Sequence, residues 1–380
     1  LFRNNVSLQR GFSFFSFFLS GVVSLLLVQQ VYNEGIQILE IGGWPAPFGI
    51  VLVADMLTAL LLVTTSAVSI ACILYAFKSI GEQRERYYFY PLFHFLITGV
   101  NGAFLTGDLF NLFVCFEVML FSSYVLLSLG GTRIQLRETI KYILVNTTSS
   151  TLFLVAIAYL YAVTGTLNMA HLSVRIAEVG QTGFITNVAL LFLIVFSLKA
   201  ALFLFFWLPG SYSAPPTAIA AIFAALLTKV GIYAIFRTYT LIFYHQPEVT
   251  HTLIAVIAAL TMILGGIGAV AQRDIRHILV YNVIIGVGFV VSGLAVFTST
   301  AVTGSIYYLI HDIVSKALLF LLGGTIIRIV GTGKLKEISG LIHNHPLLGW
   351  MFFINALALA GIPPLSGFIG KVLVIQEGLA

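Results

Sequence analysis

Stretches of about 20 apolar residues, the length needed to cross the hydrocarbon core of a bilayer, follow one another along this chain with short polar connections between them. They run at roughly 11–31, 50–77, 88–107, 109–129, 140–163, 185–207, 217–240, 252–271, 278–297, 304–327 and 347–362, and a twelfth begins near Leu365. The pattern predicts an all-α polytopic membrane protein with about 12 transmembrane helices in this sequence. The longest polar connections lie near 32–49, 164–184 and 328–346 and hold no soluble domain. Residues 1–380 therefore read as a single transmembrane domain, and any chemistry takes place within the membrane. The sequence starts at Leu1 and stops at Ala380 inside an apolar run, so a piece of a longer chain, incomplete at both ends, is expected.

Prolines interrupt two of the apolar stretches. The first reads Trp207-Leu208-Pro209-Gly210-Ser211-Tyr212-Ser213-Ala214-Pro215-Pro216, the second Gly361-Ile362-Pro363-Pro364-Leu365-Ser366-Gly367. Proline removes a backbone donor and disrupts the preceding turn. Free backbone groups at membrane depth survive only where protein or water satisfies them, so such breaks tend to line cavities. Lys199 precedes the first proline pair, and Lys371 follows the second by about two turns. Paired interrupted helices in two halves of a chain point to a transporter built from inverted repeats. For the first break an ordinary loop at the cytoplasmic surface is the competing reading.

Composition changes the picture by isolating the charges. Hydrophobic residues make up 59% and charged residues 9%, against about 25% charged in an ordinary soluble domain, and the mean hydropathy is +1.04. Cytoplasmic loops collect Lys and Arg. Threading the spans in order puts Arg3, Arg10, Lys78, Arg84, Arg86, Arg133, Arg137, Lys141, Arg273, Arg276, Arg328, Lys334 and Lys336 on one side, and only Arg175 and Arg237 on the other. The N-terminal end is therefore expected in the cytoplasm. The formal charge of +5 follows from this sorting. No basic face interleaved with aromatics suggests nucleic acid.

Four lysines remain inside spans, Lys199, Lys229, Lys316 and Lys371, together with Glu117, His311 and Asp312. Ionisable groups cost about 2.5–3.5 kcal/mol each there on insertion scales, and usually mark an ion or proton path. Glu117 lies near the middle of its span. A Lys199 beside it would let both stay charged, either as a static pair or as one that changes its protonation. Lys229 stands twelve residues beyond Thr217, too deep for its amine to snorkel easily, so it needs water or a partner. Asp312 and Lys316 are spaced i, i+4 and can pair on one helix face. His311 lies about 140 degrees around that helix from Lys316 and faces other neighbours, as a proton relay or as a satisfied buried donor. Arg237 reads as an interfacial anchor, Asp55 as a helix N-cap, and His94 receives no role.

Other chemistries find little support. Cys72 and Cys115 sit in apolar helices without metal-ligand spacing. Gly286 and Gly288 lie in a span with no preceding strand, so they read as packing positions rather than a dinucleotide motif. His343 and His345 share a loop without further ligands. No metal and no cofactor is expected.

The chain resembles the antiporter-like family shared by complex I membrane subunits and the Mrp multi-subunit sodium/proton antiporters. The residues that carry this are Phe116-Glu117-Val118-Met119-Leu120, the Lys199 helix with Trp207-Leu208-Pro209, Ala214-Pro215-Pro216-Thr217 leading to Leu227-Thr228-Lys229, His311 with Lys316-Ala317-Leu318, and Gly361-Ile362-Pro363-Pro364 with Lys371. Where complex I relatives commonly carry an Ala-His pair, this chain has Gly210-Ser211-Tyr212, which is similar to the D-type branch of the Mrp antiporters. The resemblance implies about 14 helices in the whole family fold and two inverted five-helix repeats, here at about 88–240 and 252–380. It implies proton translocation through Glu117, Lys199, the bridging Lys229, His311 and Lys371, with Asp312 and Lys316 as secondary candidates. It also implies a bacterial plasma membrane as the location and other subunits of an antiporter complex as its partners.

Sodium is a hard cation that favours several oxygen ligands, by analogy with calcium and magnesium. The deep spans offer two carboxylates against four lysines. The expectation is that this chain carries protons and leaves sodium to a partner subunit or interface. The competing readings are a membrane component of complex I, powered by redox chemistry elsewhere, and an inert scaffold with buried ion pairs.

Overall fold

The computed structural model describes residues 5–379; Leu1, Arg3 and Ala380 lie outside them. Helix α1 (Val6–Glu34) packs along α2 (Met56–Ser79), followed by a single turn α3 (Glu82–Arg84) and then α4 (Tyr90–Leu105), α5 (Leu109–Ser128) and α6 (Arg133–Thr164). Next come α7 (Met169–Val179), α8 (Gly183–Ala200), α9 (Leu208–Ser213), α10 (Thr217–Ile222) and α11 (Thr228–Leu241). The remaining elements are α12 (Pro247–Ala271), α13 (Ile275–Val296), α14 (Ser299–Val330), α15 (Leu341–Asn344), α16 (Pro346–Ala360) and α17 (Gly367–Leu379). Among the described residues, nine helical segments are long and apolar enough to cross a membrane, and shorter apolar ones add to them.

The helix starts follow local chemistry. Asp55, Asp108, Asn168, Asp274 and Thr298 each accept a backbone N–H of the first turn, and Thr132 with Gln135 forms a reciprocal capping box. Gly165, Gly331 and Gly361 end helices in the left-handed conformation, which costs glycine no Cβ clash.

The structure refines two details of the expected helical fold. Beside the helices, Gln37–Glu40 and Val51–Ala54 pair as a short antiparallel ribbon, β1 and β2, in the register Gln37↔Ala54 and Glu40↔Val51. The membrane helix expected from residue 50 consequently begins at Met56, behind the Asp55 cap. The connection 164–184 also holds a helix, α7, which buries Met169, Leu172 and Ile176 on one face.

A correction concerns the first break. The span expected at 185–207 ends as a helix at Ala200, and Ala201 and Phe203 take positive φ of 58° and 61°. Pro209 instead lies in the first turn of α9, Pro215 lies in the α9–α10 connection, and Pro216 is the N-cap of α10. No proline breaks this helix. The freed Phe203 N–H donates to Thr261 Oγ1 of α12 at 2.7 Å, and the Trp207 indole donates to the Leu198 carbonyl at 3.1 Å. Tertiary partners thus hold the break open. Thr261→Val, which removes the acceptor, is expected to destabilise the purified assembly by about 1–3 kcal/mol for one unsatisfied donor, read as a lower midpoint in thermal denaturation.

Residues 218–236 are all buried, so this segment stands in the middle of the bundle, against α2, α4, α8, α13 and α14. A π-helical turn, Phe223–Leu227, interrupts it between α10 and α11. The second break lies where the prolines predict one: α16 ends at Ala360, Pro363 and Pro364 occupy the gap, and α17 starts at Gly367.

Candidate functional site

The ionisable residues that the sequence places deep in the spans gather in three clusters. In the first, Ser150 of α6 stands between Glu117 of α5 and Lys199 of α8. Its hydroxyl bonds to the Glu117 carboxylate and accepts from Lys199 Nζ at 3.1 Å. Glu117 and Lys199 are therefore joined through a hydroxyl rather than as a direct pair. The Lys199 ammonium also lies 4.8 Å from the centre of the Phe116 ring, a favourable face for a cation. Lys199 sits in the last turn of α8, immediately before the break.

The second cluster is the most deeply enclosed. Lys229 Nζ lies 2.9 Å from Asp312 Oδ2, both side chains being 0% exposed, and Lys316 Nζ lies 3.3 Å from Asp312 Oδ1. Lys229 also donates to the Ala224 carbonyl at 3.0 Å, in the π-helical turn, where irregular winding frees a carbonyl. Lys316 reaches the Asn282 side chain of α13. A Cβ on residue 286 would lie 2.8 Å from the Asp312 carboxylate, so Gly286 lets α13 approach that carboxylate closely. One carboxylate thus serves two amines. The group therefore holds one more basic side chain than acidic ones.

The third cluster surrounds the second break. His311 Nδ1 lies 2.9 Å from Ser366 Oγ, and its ring neighbours Tyr308. Lys371 donates to the carbonyls of Leu359 at 2.8 Å and Ala360 at 3.1 Å. It caps the exposed C-terminal carbonyls of α16, which otherwise lack partners. His311 and Asp312 are consecutive on α14, so that helix joins the second and third clusters.

The residue match decides what kind of protein this is: residues 106–380 fit the family model described as NADH:quinone oxidoreductase/Mrp antiporter, transmembrane. The chain belongs to this family. Over 376 residues, 99% of this chain and 76% of the relative, it is 55% identical to the D subunit of the Na(+)/H(+) antiporter of Alkalihalophilus pseudofirmus. It is 54% identical over 377 residues, with the same coverage, to the D subunit of the Na(+)/H(+) antiporter of Bacillus subtilis. The Mrp complex of Dietzia sp. matches with a TM-score of 0.92 at 33% identity, over 98% of this chain and 70% of that one. A membrane-bound sulfane sulfur reductase, an archaeal respiratory membrane complex, matches with 0.93 at 28% identity, over 98% and 77%.

Against the family pattern, the structure changes the weight of several residues. Asp312, a secondary candidate by sequence, is the shared partner of Lys229 and Lys316. Arg237 does more than anchor: it pairs with Asp55 at 2.6 Å and donates to Tyr233 Oη at 2.9 Å, tying α11 to the start of α2. Ser150, Asn282 and Ser366 escape a sequence reading because a lone small polar residue in an apolar run is unremarkable. Glu85 escapes it too, being flanked by Arg84 and Arg86, yet it is 0% exposed and bound by Arg10 at 2.9 Å.

Proposed function

We propose that this chain is the proton-translocating subunit of a multi-subunit sodium/proton antiporter in a bacterial plasma membrane, with its N-terminal end in the cytoplasm. Protons move between Glu117 and Lys199 through Ser150, across Lys229, Asp312 and Lys316, and by way of His311 toward Lys371. Residues 88–240 and 252–380 form the two inverted repeats, and the middle cluster lies where they meet. The observation that carries this reading is the enclosed Lys229–Asp312–Lys316 group, whose two amines share one carboxylate. Such groups inside a membrane are costly and mark proton relays. An inert scaffold has no use for an unbalanced charge there.

Sodium is taken by a partner subunit or an interface, because Asp312 is already engaged by two ammonium groups and leaves no set of free oxygens for a hard cation. The redox-driven reading is not favoured. The relatives at 55% and 54% identity are named antiporter subunits, whereas the respiratory complex stands at 28%.

The whole complex, reconstituted in liposomes without any electron donor, is expected to move protons when a sodium gradient is imposed. An internal pH dye reads the result. Proton movement that requires a redox substrate and ignores sodium would overturn the proposal.

A further inference from the structure

Glu138 is a buried carboxylate that the relay above does not use. Only 5% exposed, it sits near the start of α6, 2.8 Å from Arg137 and 3.2 Å from Lys141, whose own side chains are largely in the open. Its carboxylate fills the space beside Gly210 of α9, where any side chain would collide with it. That makes Gly210, one of the residues that depart from the complex I pattern, the position that admits Glu138.

From Glu138 a polar stripe runs inward along α6. Tyr142, Asn146, Ser149 and Ser150 follow at i+4, i+8, i+11 and i+12, all buried, while Ile140, Leu144, Leu154 and Tyr159 of the same helix are exposed. The spacing keeps the polar residues on one face. At 1.5 Å per residue the stripe is about 18 Å long, enough to lead from headgroup level to mid-depth of a core about 30 Å thick. It ends on Ser150, the hydroxyl between Glu117 and Lys199.

Neighbouring groups continue the polar lining. Ser123 Oγ donates to Tyr142 Oη at 3.2 Å, Asn146 Nδ2 to the Tyr142 carbonyl at 2.9 Å, and Ser149 Oγ to the Val195 carbonyl at 3.1 Å. Among the described residues, the hydroxyls of Ser197 and Tyr212 are buried without a protein partner. The Tyr212 ring lies 6.0 Å from Trp207, which is 5.2 Å from Tyr142. Buried polar atoms of this kind commonly hold ordered water.

We propose that Glu138 takes up protons at the cytoplasmic face and that the α6 stripe conducts them to the Ser150–Lys199 link. The inference rests on the proposed function and adds its uptake route. The Glu138 carboxylate accepts a proton from bulk water and passes it on through hydroxyls and water held by Asn146. The neutral Lys199 amine receives it, and only O–H and N–H bonds change. The charged groups that pair with Glu138 are Arg137 and Lys141 of its own helix; on the adjoining α13, Arg276 donates to the Ser213 carbonyl at the end of α9, at 3.3 Å. Arg137 and Lys141 supply the counter-charge for the carboxylate between one proton and the next.

The test uses the whole complex in inverted vesicles, where the cytoplasmic face meets the bath. Glu138→Gln and Asn146→Leu are each expected to slow sodium-dependent proton exchange about tenfold, which is about 1.4 kcal/mol on the barrier. The loss should be steepest in alkaline baths, where protons are scarce. Glu138→Asp and Asn146→Ser should keep most of the rate. Unchanged exchange in both blocking variants, or a loss of equal size at every pH, overturns the uptake route. If Glu138→Gln fails to assemble, Asn146→Leu, far from the ion pairs, decides the matter by itself. Lys199→Ala in parallel separates the two claims: full exchange in that variant sinks the relay, whereas a dead Lys199→Ala beside healthy Glu138 and Asn146 variants sinks only the route.

Discussion

Asp312→Asn is expected to abolish sodium-dependent proton exchange and to destabilise the protein by about 3–5 kcal/mol, the usual cost of stripping one partner from a buried pair. Lys229 and Lys316 both lean on this carboxylate, at 2.9 Å and 3.3 Å. Without it, two ammonium groups face each other where the Lys229 and Asp312 side chains are 0% exposed. The companion variant Lys316→Met should behave differently. It leaves Lys229 and Asp312 as a balanced pair, so assembly should be close to normal while exchange is lost with the proton-holding amine. Vesicle exchange assays and the amount of intact complex on native gels read both quantities. Exchange retained in either assembled variant would remove the cluster from the mechanism.

Lys199→Ala is expected to reduce exchange by about 10²–10⁴-fold, the range for losing a positioned proton-transfer group, with assembly intact. Among the described residues its amine donates only to Ser150, and it lies over the Phe116 ring, so its loss strands no buried charge partner directly. Lys199→Arg sharpens the test. Arginine keeps the positive charge and the donor but stays protonated in proteins, so it should be as inactive as alanine. If the arginine variant exchanges normally, the residue acts as a fixed charge and not as a proton carrier. Sodium-gradient-driven fluorescence quenching in inverted vesicles distinguishes the outcomes.

Much of the architecture was legible in the sequence because the bilayer is a demanding solvent. Every span needs about 20 apolar residues, so the spans announce themselves, and the few charges within them stand out. Asp55 could be read as a cap and was found capping Thr58. Gly361 and the prolines after it could be read as an interruption, since both residue types act on the local backbone. The first break could not be placed. Ala200, Ala201 and Leu202 have no local reason to leave a helix, and the prolines downstream suit helix starts as well as helix ends. The acceptor that favours the break, Thr261, lies 58 residues further along the chain.

The same division runs through the candidate site. Sequence by itself determined the bilayer as the solvent, the rough limits of most crossings, and the short list of ionisable residues that had to be explained, because those follow from local composition and helical period. Tertiary structure alone decided who meets whom: Ser150 between Glu117 and Lys199, Asp312 between Lys229 and Lys316, Lys371 on the carbonyls that end α16. Those meetings depend on which faces of distant helices come together. In a chain whose helices are apolar nearly all round, the hydrophobic pattern does not say which face turns inward.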